Sequence, residues 1–149
     1  MRGFPDLPPL WTLAFMGVAW GLARLIPVIH AASGVLQGAG LVLAGAGVAL
    51  IGWSAFWFWQ KKTTIEPHHT PGTLIIEGPY RLSRNPIYLG MVAILTGQVL
   101  WLGAVSPVIL PPLLLLILTI RFAKPEEAAL IATFGDEGQA YLSATRRWL

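Results

Sequence analysis

Four apolar runs separated by short polar segments account for most of the chain. They cover residues 10–29, 35–59, 86–102 and 107–122. A helix needs roughly 20 mostly apolar residues to cross the hydrocarbon core of a bilayer. The pattern therefore predicts an all-α, polytopic membrane helical bundle with four transmembrane helices.

Prolines and glycines indicate where these helices begin, bend and pack. Pro86 suits the first turn of the third helix, and Pro111 and Pro112 are expected to kink the fourth. Residues 103–106 are predicted to form a tight turn between those two helices. Small residues let membrane helices approach closely, so we expect the second helix to pack through its glycines. These are Gly34, Gly38, Gly40, Gly45, Gly47 and Gly52.

The segment after the fourth run is polar again. Pro125 is expected to open a polar helix with Glu126 and Glu127 in its first turn, where carboxylates interact favourably with the helix dipole. Gly135 is expected to end that helix. Residues 136–149 are predicted to form a further helix, and the pattern leaves open whether it adds a fifth membrane helix.

Composition supports the membrane assignment. Of the 149 residues, 55% are hydrophobic and 11% are charged, whereas an ordinary soluble domain has about 25% charged residues. We therefore predict one integral membrane domain over residues 1–149, with two N-terminal spans in residues 1–59. The sequence has no cysteine, which excludes disulfides and thiolate metal sites. Its net charge of +3 fits contact with anionic lipid headgroups better than contact with nucleic acid.

The distribution of positive charge predicts the orientation. Every lysine and arginine except Arg24 falls on one side of a four-helix arrangement. Basic residues are concentrated on the cytoplasmic side of membrane proteins, so both termini and the long connection at 60–85 are expected in the cytoplasm. The N-terminus lacks the cleavage pattern of a secretory signal, and the first run is therefore expected to be a retained span.

Two polar islands, residues 78–90 and 121–127, border the apolar runs and are expected to meet on the cytoplasmic face. Unpaired polar groups at a membrane edge are costly, so this dense set of arginines, tyrosines and carboxylates indicates a functional site. The basic side chains suit an anionic group, and the two adjacent carboxylates suit a cation. The alternative is that these residues only anchor helix ends at the membrane interface.

Other chemistries fit the sequence less well. His68 and His69 lack a third ligand at metal spacing, so no metal site is predicted. Ser83 has no base near it in the sequence. Residues 38–40 (Gly-Ala-Gly) lack the strand that a nucleotide-binding loop requires. Haem ligation would require histidines inside the apolar runs, whereas all three histidines lie in polar connections or at the end of a run.

The motif Gly-Pro-Tyr-Arg-x-x-Arg-Asn-Pro-x-Tyr-x-Gly at 78–90 resembles the signature of the isoprenylcysteine carboxyl methyltransferase and phospholipid methyltransferase superfamily. The motif Pro-Glu-Glu-x-x-Leu-x-x-x-Phe-Gly at 125–135 resembles the second half of that signature, as do a later tyrosine and the terminal Arg-Arg-Trp-Leu. The resemblance covers roughly residues 60–149, and it implies that this part of the domain binds the cofactor and carries the catalytic residues.

This resemblance implies an S-adenosyl-L-methionine-dependent methyltransferase in a small helical membrane domain. Its acceptor would be lipophilic or small and apolar, with a carboxylate, a thiol or a lipid headgroup as the accepting end. The resemblance implies catalytic or substrate-orienting roles for Arg121, Lys124 and Glu127. The residues that it implies around the cofactor are Thr73, Leu74, Ile75, Tyr80, Arg84, Asn85, Pro86, Tyr88 and Glu126.

The sequence departs from eukaryotic members of the superfamily at two positions. Asn85 stands where those members commonly carry a histidine, and Gly72 stands in place of another. Both departures resemble bacterial branches, so the expected location is a bacterial or archaeal inner (cell) membrane with a cytoplasmic active site. The alternative function is a non-catalytic helix-packing or binding module derived from the same family.

Overall fold

The structure, a computed structural model, describes residues 6–26, 33–61 and 74–149. These residues form α-helices, two short 3-10 turns and one π turn, and they contain no β-strand. The α-helices are α1 (Pro8–Leu25), α2 (Gly34–Gln60), α3 (Pro86–Leu102), α4 (Leu110–Leu118), α5 (Lys124–Phe134) and α6 (Asp136–Ala144). The predicted all-α class is confirmed.

The helices follow the apolar runs because residues with special backbone or capping properties stand at their ends. α3 has Pro86 in its first turn, as predicted, and stops at Gly103, whose φ of 64° no right-handed helix can continue. α2 begins after Ser33, whose hydroxyl accepts a hydrogen bond from the Leu36 backbone N–H. α1 begins at Pro8, slightly before the first apolar run, and the end of that run lies outside the described residues.

Two helical stretches of the described chain are long and apolar enough to cross a membrane. One is α2, with 27 residues, and the other is the 29-residue stretch Ser106–Phe134, which contains α4 and α5. α3 is apolar but has only 17 residues. The structure therefore has two candidate membrane spans, and the prediction of four or five membrane helices is not confirmed.

The chain from α4 to α5 stays helical through three prolines. Pro111 and Pro112 lie in the first turn of α4, where a proline removes no hydrogen bond, so they mark the change from the 3-10 turn at 106–109 to the α-helix. The irregularity inside this stretch lies further on, in the π turn Thr119–Ala123. Pro125 follows that turn. Because proline has no backbone N–H, the α-helical hydrogen bonds are interrupted at this point, and not at Pro111 and Pro112, where the kink was predicted.

α2 and α3 pack against each other through two pairs of facing glycines. A Cβ atom on Gly47 would lie 2.6 Å from the Gly90 carbonyl oxygen, and one on Gly40 would lie 2.5 Å from the Gly97 carbonyl oxygen. Cβ atoms do not come that close to other atoms, so no side chain would fit there and the two backbones are in direct contact. This contact confirms the predicted packing through glycines. The described residues place no atom within 4 Å of a Cβ built on the other α2 glycines, Gly34, Gly38, Gly45 and Gly52.

A second buried region lies between α1, α3 and α4. Its fully buried side chains include Leu95, Leu114, Leu118 and Phe122. Side-chain hydrogen bonds attach α1 to this region, because Gln98 Nε2 donates to Met16 O at 3.1 Å and Ser106 Oγ donates to Leu22 O at 3.2 Å. α3 is thus held by glycine contacts on one side and by an apolar core on the other.

Candidate functional site

The N-terminus of α3, the start of α5 and the C-terminal residues after α6 come together at one end of the bundle. Five side chains there form two bonded groups that adjoin at Glu126 and Glu127, and together they are called the polar cluster below. Tyr88 binds Glu126, and Arg84 and Arg147 bind Glu127. Both predicted polar islands contribute to the polar cluster, so their expected meeting is confirmed.

Tyr88 and Glu126 join the two islands directly. The Tyr88 hydroxyl donates a hydrogen bond to Glu126 Oε1. Tyr88 is buried, and its ring centroid lies 6.1 Å from that of Phe122. Among the described residues, the Glu126 carboxylate pairs with this hydroxyl and with no cation. A partly buried carboxylate in that situation can stabilise a cationic group that is brought to it.

Glu127, the next residue, is neutralised by two arginines. Arg147 donates from Nε to Oε1 at 2.8 Å and from Nη2 to Oε2 at 2.7 Å, and Arg84 Nη1 lies 3.2 Å from Oε1. The hydrogen bonds to Glu127 also raise the pKa of Arg147 above its ordinary value. Glu127 is only 8% exposed, and a buried carboxylate bound in this way is satisfied within the protein. Glu127 therefore joins Arg84 and Arg147 within the polar cluster.

The backbone of the C-terminal residues holds the loop that precedes α3. Ser83 Oγ and Asn85 Nδ2 both donate to the Arg147 carbonyl oxygen, at 3.0 and 3.2 Å. The Arg84 backbone N–H donates to the Arg146 carbonyl oxygen at 2.9 Å. Asn85, which the sequence predicts at the cofactor, thus uses its amide nitrogen to bind the end of the chain.

The 3-10 turn Gly78–Arg81 forms a wall beside the polar cluster. Gly78 has a φ of 58°, and a Cβ there would collide with the Trp57 indole, so only glycine fits. Tyr80 is buried edge-on against Phe58, with ring centroids 5.7 Å apart, and its carbonyl oxygen accepts from the Tyr141 hydroxyl at 2.9 Å. Burial raises the pKa of Tyr80 and raises that of Tyr141 to about 12, so both hydroxyls stay protonated at neutral pH.

Arg121 binds residues near the start of α1 and not the polar cluster. Its Nε and Nη2 donate to Asp6 Oδ2 at 3.2 and 2.7 Å, and its guanidinium lies 5.4 Å from the centroid of the Trp11 ring. Trp11 Nε1 donates to the other oxygen, Asp6 Oδ1, at 2.8 Å. The Arg121 side chain is 51% exposed, and Lys124 is exposed as well. The catalytic roles suggested for Arg121 and Lys124 stay predictions.

The remaining residues predicted at the site fall into two groups. Ile75 is buried and Leu74 is half-buried, and both lie in irregular chain just before the 3-10 turn at 78–81. Thr73 lies outside the described residues, as do His68 and His69. Within the described ranges, no group of three or more side chains is arranged to hold a metal ion.

Two residues with extensive contacts, Arg147 and Asp6, carry little signal in the sequence. Arg147 belongs to the terminal Arg-Arg-Trp-Leu that resembles the signature, but Ser83 and Asn85 lie so far from it along the chain that no local pattern indicates their contact. Asp6 was visible only as an isolated charge before the first apolar run. Both residues act through contacts between distant parts of the chain, which periodicity and local motifs do not encode.

In a comparison with protein families, the model described as phospholipid methyltransferase matches residues 35–137. The matched region includes α2 to α5 and four of the five polar-cluster side chains, and it ends before Arg147. Comparison with curated proteins found no match, and comparison with solved structures found none either.

Proposed function

This chain belongs to the phospholipid methyltransferase family, and on that premise we propose that it is an integral membrane methyltransferase that uses S-adenosyl-L-methionine. The proposed acceptor is lipophilic or small and apolar, with a carboxylate, a thiol or a lipid headgroup as its accepting end. The observation that carries the proposal is the hydrogen bond from Tyr88 to Glu126, because it joins the two halves of the sequence signature in a buried place.

The donor and acceptor groups of the polar cluster fit this cofactor chemically. S-adenosyl-L-methionine has a cationic sulfonium, a cationic ammonium and a carboxylate. Glu126 offers a carboxylate that pairs with no cation in the described part of the chain, and Arg84 Nε is a buried donor without an acceptor there. We propose that Glu126 binds a cationic part of the cofactor and Arg84 its carboxylate. Further proposed lining residues are Thr73, Leu74, Ile75, Tyr80, Asn85, Pro86 and Tyr88.

When bound, S-adenosyl-L-methionine supplies a methyl group on a sulfonium sulfur, and transfer of that methyl to the acceptor leaves the neutral thioether S-adenosylhomocysteine. The protein contributes mainly by holding the reactants in line, which is a large share of the rate that a displacement can gain. Tyr88 orients the Glu126 carboxylate through its hydrogen bond, and a cationic group bound beside Glu126 would favour the ionised form of that carboxylate. An acceptor that is already ionised requires no general base.

Arg121 is proposed to bind the ionisable head of the acceptor, with Lys124 in a weaker role. In support, the Arg121 guanidinium already holds a carboxylate, that of Asp6, through two donors. Carboxylate and phosphate heads use the same two-donor geometry, which a lysine does not offer. An anionic head would replace Asp6 at Arg121. The basic residues at this end of the bundle support the proposal of a cytoplasmic site. The proposed location in a bacterial or archaeal inner (cell) membrane rests on the resemblance of Asn85 and Gly72 to bacterial branches of the superfamily.

A non-catalytic membrane module is the second candidate, and one observation favours it. Both Arg84 and Arg147 bind the Glu127 carboxylate, so this carboxylate is satisfied without any ligand. Under this alternative, Tyr88 and Glu126 would contribute to folding alone.

A methyl-transfer assay separates the two candidates. The full chain in detergent is incubated with tritiated S-adenosyl-L-methionine and a panel of lipid, thiol and carboxylate acceptors. We expect transfer to at least one acceptor, and a loss of at least about tenfold in Glu126→Gln, because a charged hydrogen-bonding contact is removed. Glu137→Gln, which removes the same charge from an exposed position in α6, is the matched control and should retain full transfer. A parent chain that methylates nothing in the panel, or a Glu126→Gln variant as active as Glu137→Gln, would favour the non-catalytic module.

A further inference from the structure

The last five residues of the chain bind the loop before α3 and the first turn of α5, although they lie beyond the region that the family comparison matches. Trp148 packs against the apolar core formed by α3 and α4. The C-terminal residues are therefore held in place by an apolar contact as well as by polar ones.

Arg147 makes two kinds of contact at once. Its carbonyl oxygen accepts hydrogen bonds from Ser83 Oγ and Asn85 Nδ2, which fixes the loop leading into α3. Its guanidinium donates two hydrogen bonds to Glu127, which fixes the first turn of α5. A single residue thus connects the loop before Tyr88 with the turn that carries Glu126.

The rotation of α5 decides where Glu126 points. Successive residues of an α-helix point about 100° apart, since there are 3.6 residues in a turn. Binding Glu127 to Arg147 and Arg84 on one side therefore sets the direction of Glu126, which meets the Tyr88 hydroxyl. The two adjacent carboxylates have separate tasks, because Glu127 orients the helix and Glu126 faces the site.

We infer that Arg147 is a positioning residue for the cofactor site, holding Glu126 against Tyr88 through Glu127 and through the loop at Ser83 and Asn85. The inference rests on the proposed function and deepens it, because it assigns the C-terminal residues to the same site. Arg147 contacts neither Tyr88 nor Glu126 through any hydrogen bond or ion pair of the described residues, so its effect on the site is indirect.

The neighbouring residue supplies a matched control. The Arg146 side chain is exposed, and only its backbone carbonyl is used, by the Arg84 N–H. Arg146→Gln therefore removes the same charge from the same segment without touching Glu127. Any general effect of C-terminal charge on lipid or cofactor attraction would appear in both variants.

The experiment measures binding of S-adenosylhomocysteine by calorimetry to the full chain in detergent, at a temperature where every variant is folded. We expect Arg147→Gln to weaken binding roughly tenfold to a hundredfold, because a small misplacement of an orienting group has effects of that size. Arg147→Lys keeps the charge but not the paired hydrogen bonds, and should restore part of the affinity. Arg146→Gln should bind like the parent. In the ligand-free protein, hydrogen exchange of the Arg84 amide should accelerate in Arg147→Gln and not in the control.

A double variant tests the route of the effect. If Arg147 acts through Glu127, the losses in Arg147→Gln and Glu127→Gln will not add in the double variant. A parent that binds S-adenosylhomocysteine while Arg147→Gln lowers only the melting temperature would overturn the positioning role and leave the proposed function intact. A parent that does not bind would overturn the proposed function, and the positioning role with it.

Discussion

The α2–α3 interface and the polar cluster stabilise the same helix, α3, by opposite means. At the interface, Gly47 touches the Gly90 backbone and Gly40 touches the Gly97 backbone, so shape alone decides what is accepted. In the polar cluster, side chains from three distant segments bind through charged hydrogen bonds, so the pairing of charges decides. Any larger residue at the interface should therefore destabilise the fold. In the polar cluster, the same substitution should have different effects at neighbouring residues of the same type.

The largest expected effect is at the interface. Gly47→Leu should destabilise the fold by about 3 kcal/mol or more, because the new side chain meets backbone and Ile94 atoms that cannot move aside. Gly45→Leu, two positions earlier on a face open to the membrane, should change the stability by no more than about 0.5 kcal/mol. Thermal unfolding in detergent measures both variants. Equal shifts in the two would mean that shape does not govern this interface.

A smaller loss of stability is expected in the polar cluster. Glu127→Ala leaves Arg84 and Arg147 without their shared carboxylate, and removing one partner of a largely buried ion pair costs about 2–4 kcal/mol. Glu137→Ala, which removes an exposed carboxylate from α6, should cost less than about 0.5 kcal/mol. Thermal unfolding again supplies the comparison. A Glu127→Ala variant as stable as Glu137→Ala would remove the structural role given to Glu127.

The next prediction concerns Arg121, which lies at the same end of the molecule but outside the polar cluster. Arg121→Lys should lower the turnover efficiency for anionic acceptors roughly 30-fold, because lysine cannot reproduce the two-donor grip on a carboxylate or phosphate. Lys124→Ala, which removes a nearby exposed charge, should have a much smaller effect. The assay uses tritiated cofactor with the acceptor panel. Unchanged turnover in Arg121→Lys for every acceptor would mean that the two-donor geometry of the guanidinium is not required.

The smallest effect is expected from the partner of Arg121. Asp6→Asn should change the stability by only about 0.2–1 kcal/mol, because exposed ion pairs contribute little. It should also lower the KM for anionic acceptors, because a competing carboxylate is removed from the Arg121 guanidinium. The decrease should be smaller than about fivefold. Titration of the acceptor in the transfer assay measures this change. A higher KM in Asp6→Asn would show instead that Asp6 helps Arg121 to bind the acceptor.

The sequence predicts the elements of this protein better than their contacts. The bounds of α2 and α3 follow from apolar runs whose limits are marked by residues such as Pro86 and Gly103. Such residues restrict the backbone at their own position, so the local sequence is enough to recognise them. The meeting of Tyr88 with Glu126 could be anticipated because two polar islands at the ends of neighbouring helices had to share one face.

The parts that escaped prediction depend on tertiary structure. Pro111 and Pro112 were expected to kink a helix interior, but the helix begins so close to them that they fall in its first turn. The π turn Thr119–Ala123 arises from Pro125 further along the chain. The contacts of Arg147 with Ser83 and Asn85 join residues more than 60 positions apart, and no periodicity marks such a pair.

The central claim is that Glu126 faces a cationic cofactor while Glu127 serves the fold, and one calorimetric titration tests it most directly. S-adenosylhomocysteine, whose ammonium group is retained from the cofactor, is titrated into the parent chain, Glu126→Gln and Glu137→Gln under identical conditions. The account predicts that the parent and Glu137→Gln bind alike and that Glu126→Gln binds at least about tenfold more weakly, with a melting temperature close to that of the parent. No binding to the parent up to about 1 mM ligand, or equal affinity of Glu126→Gln and the parent, would contradict it.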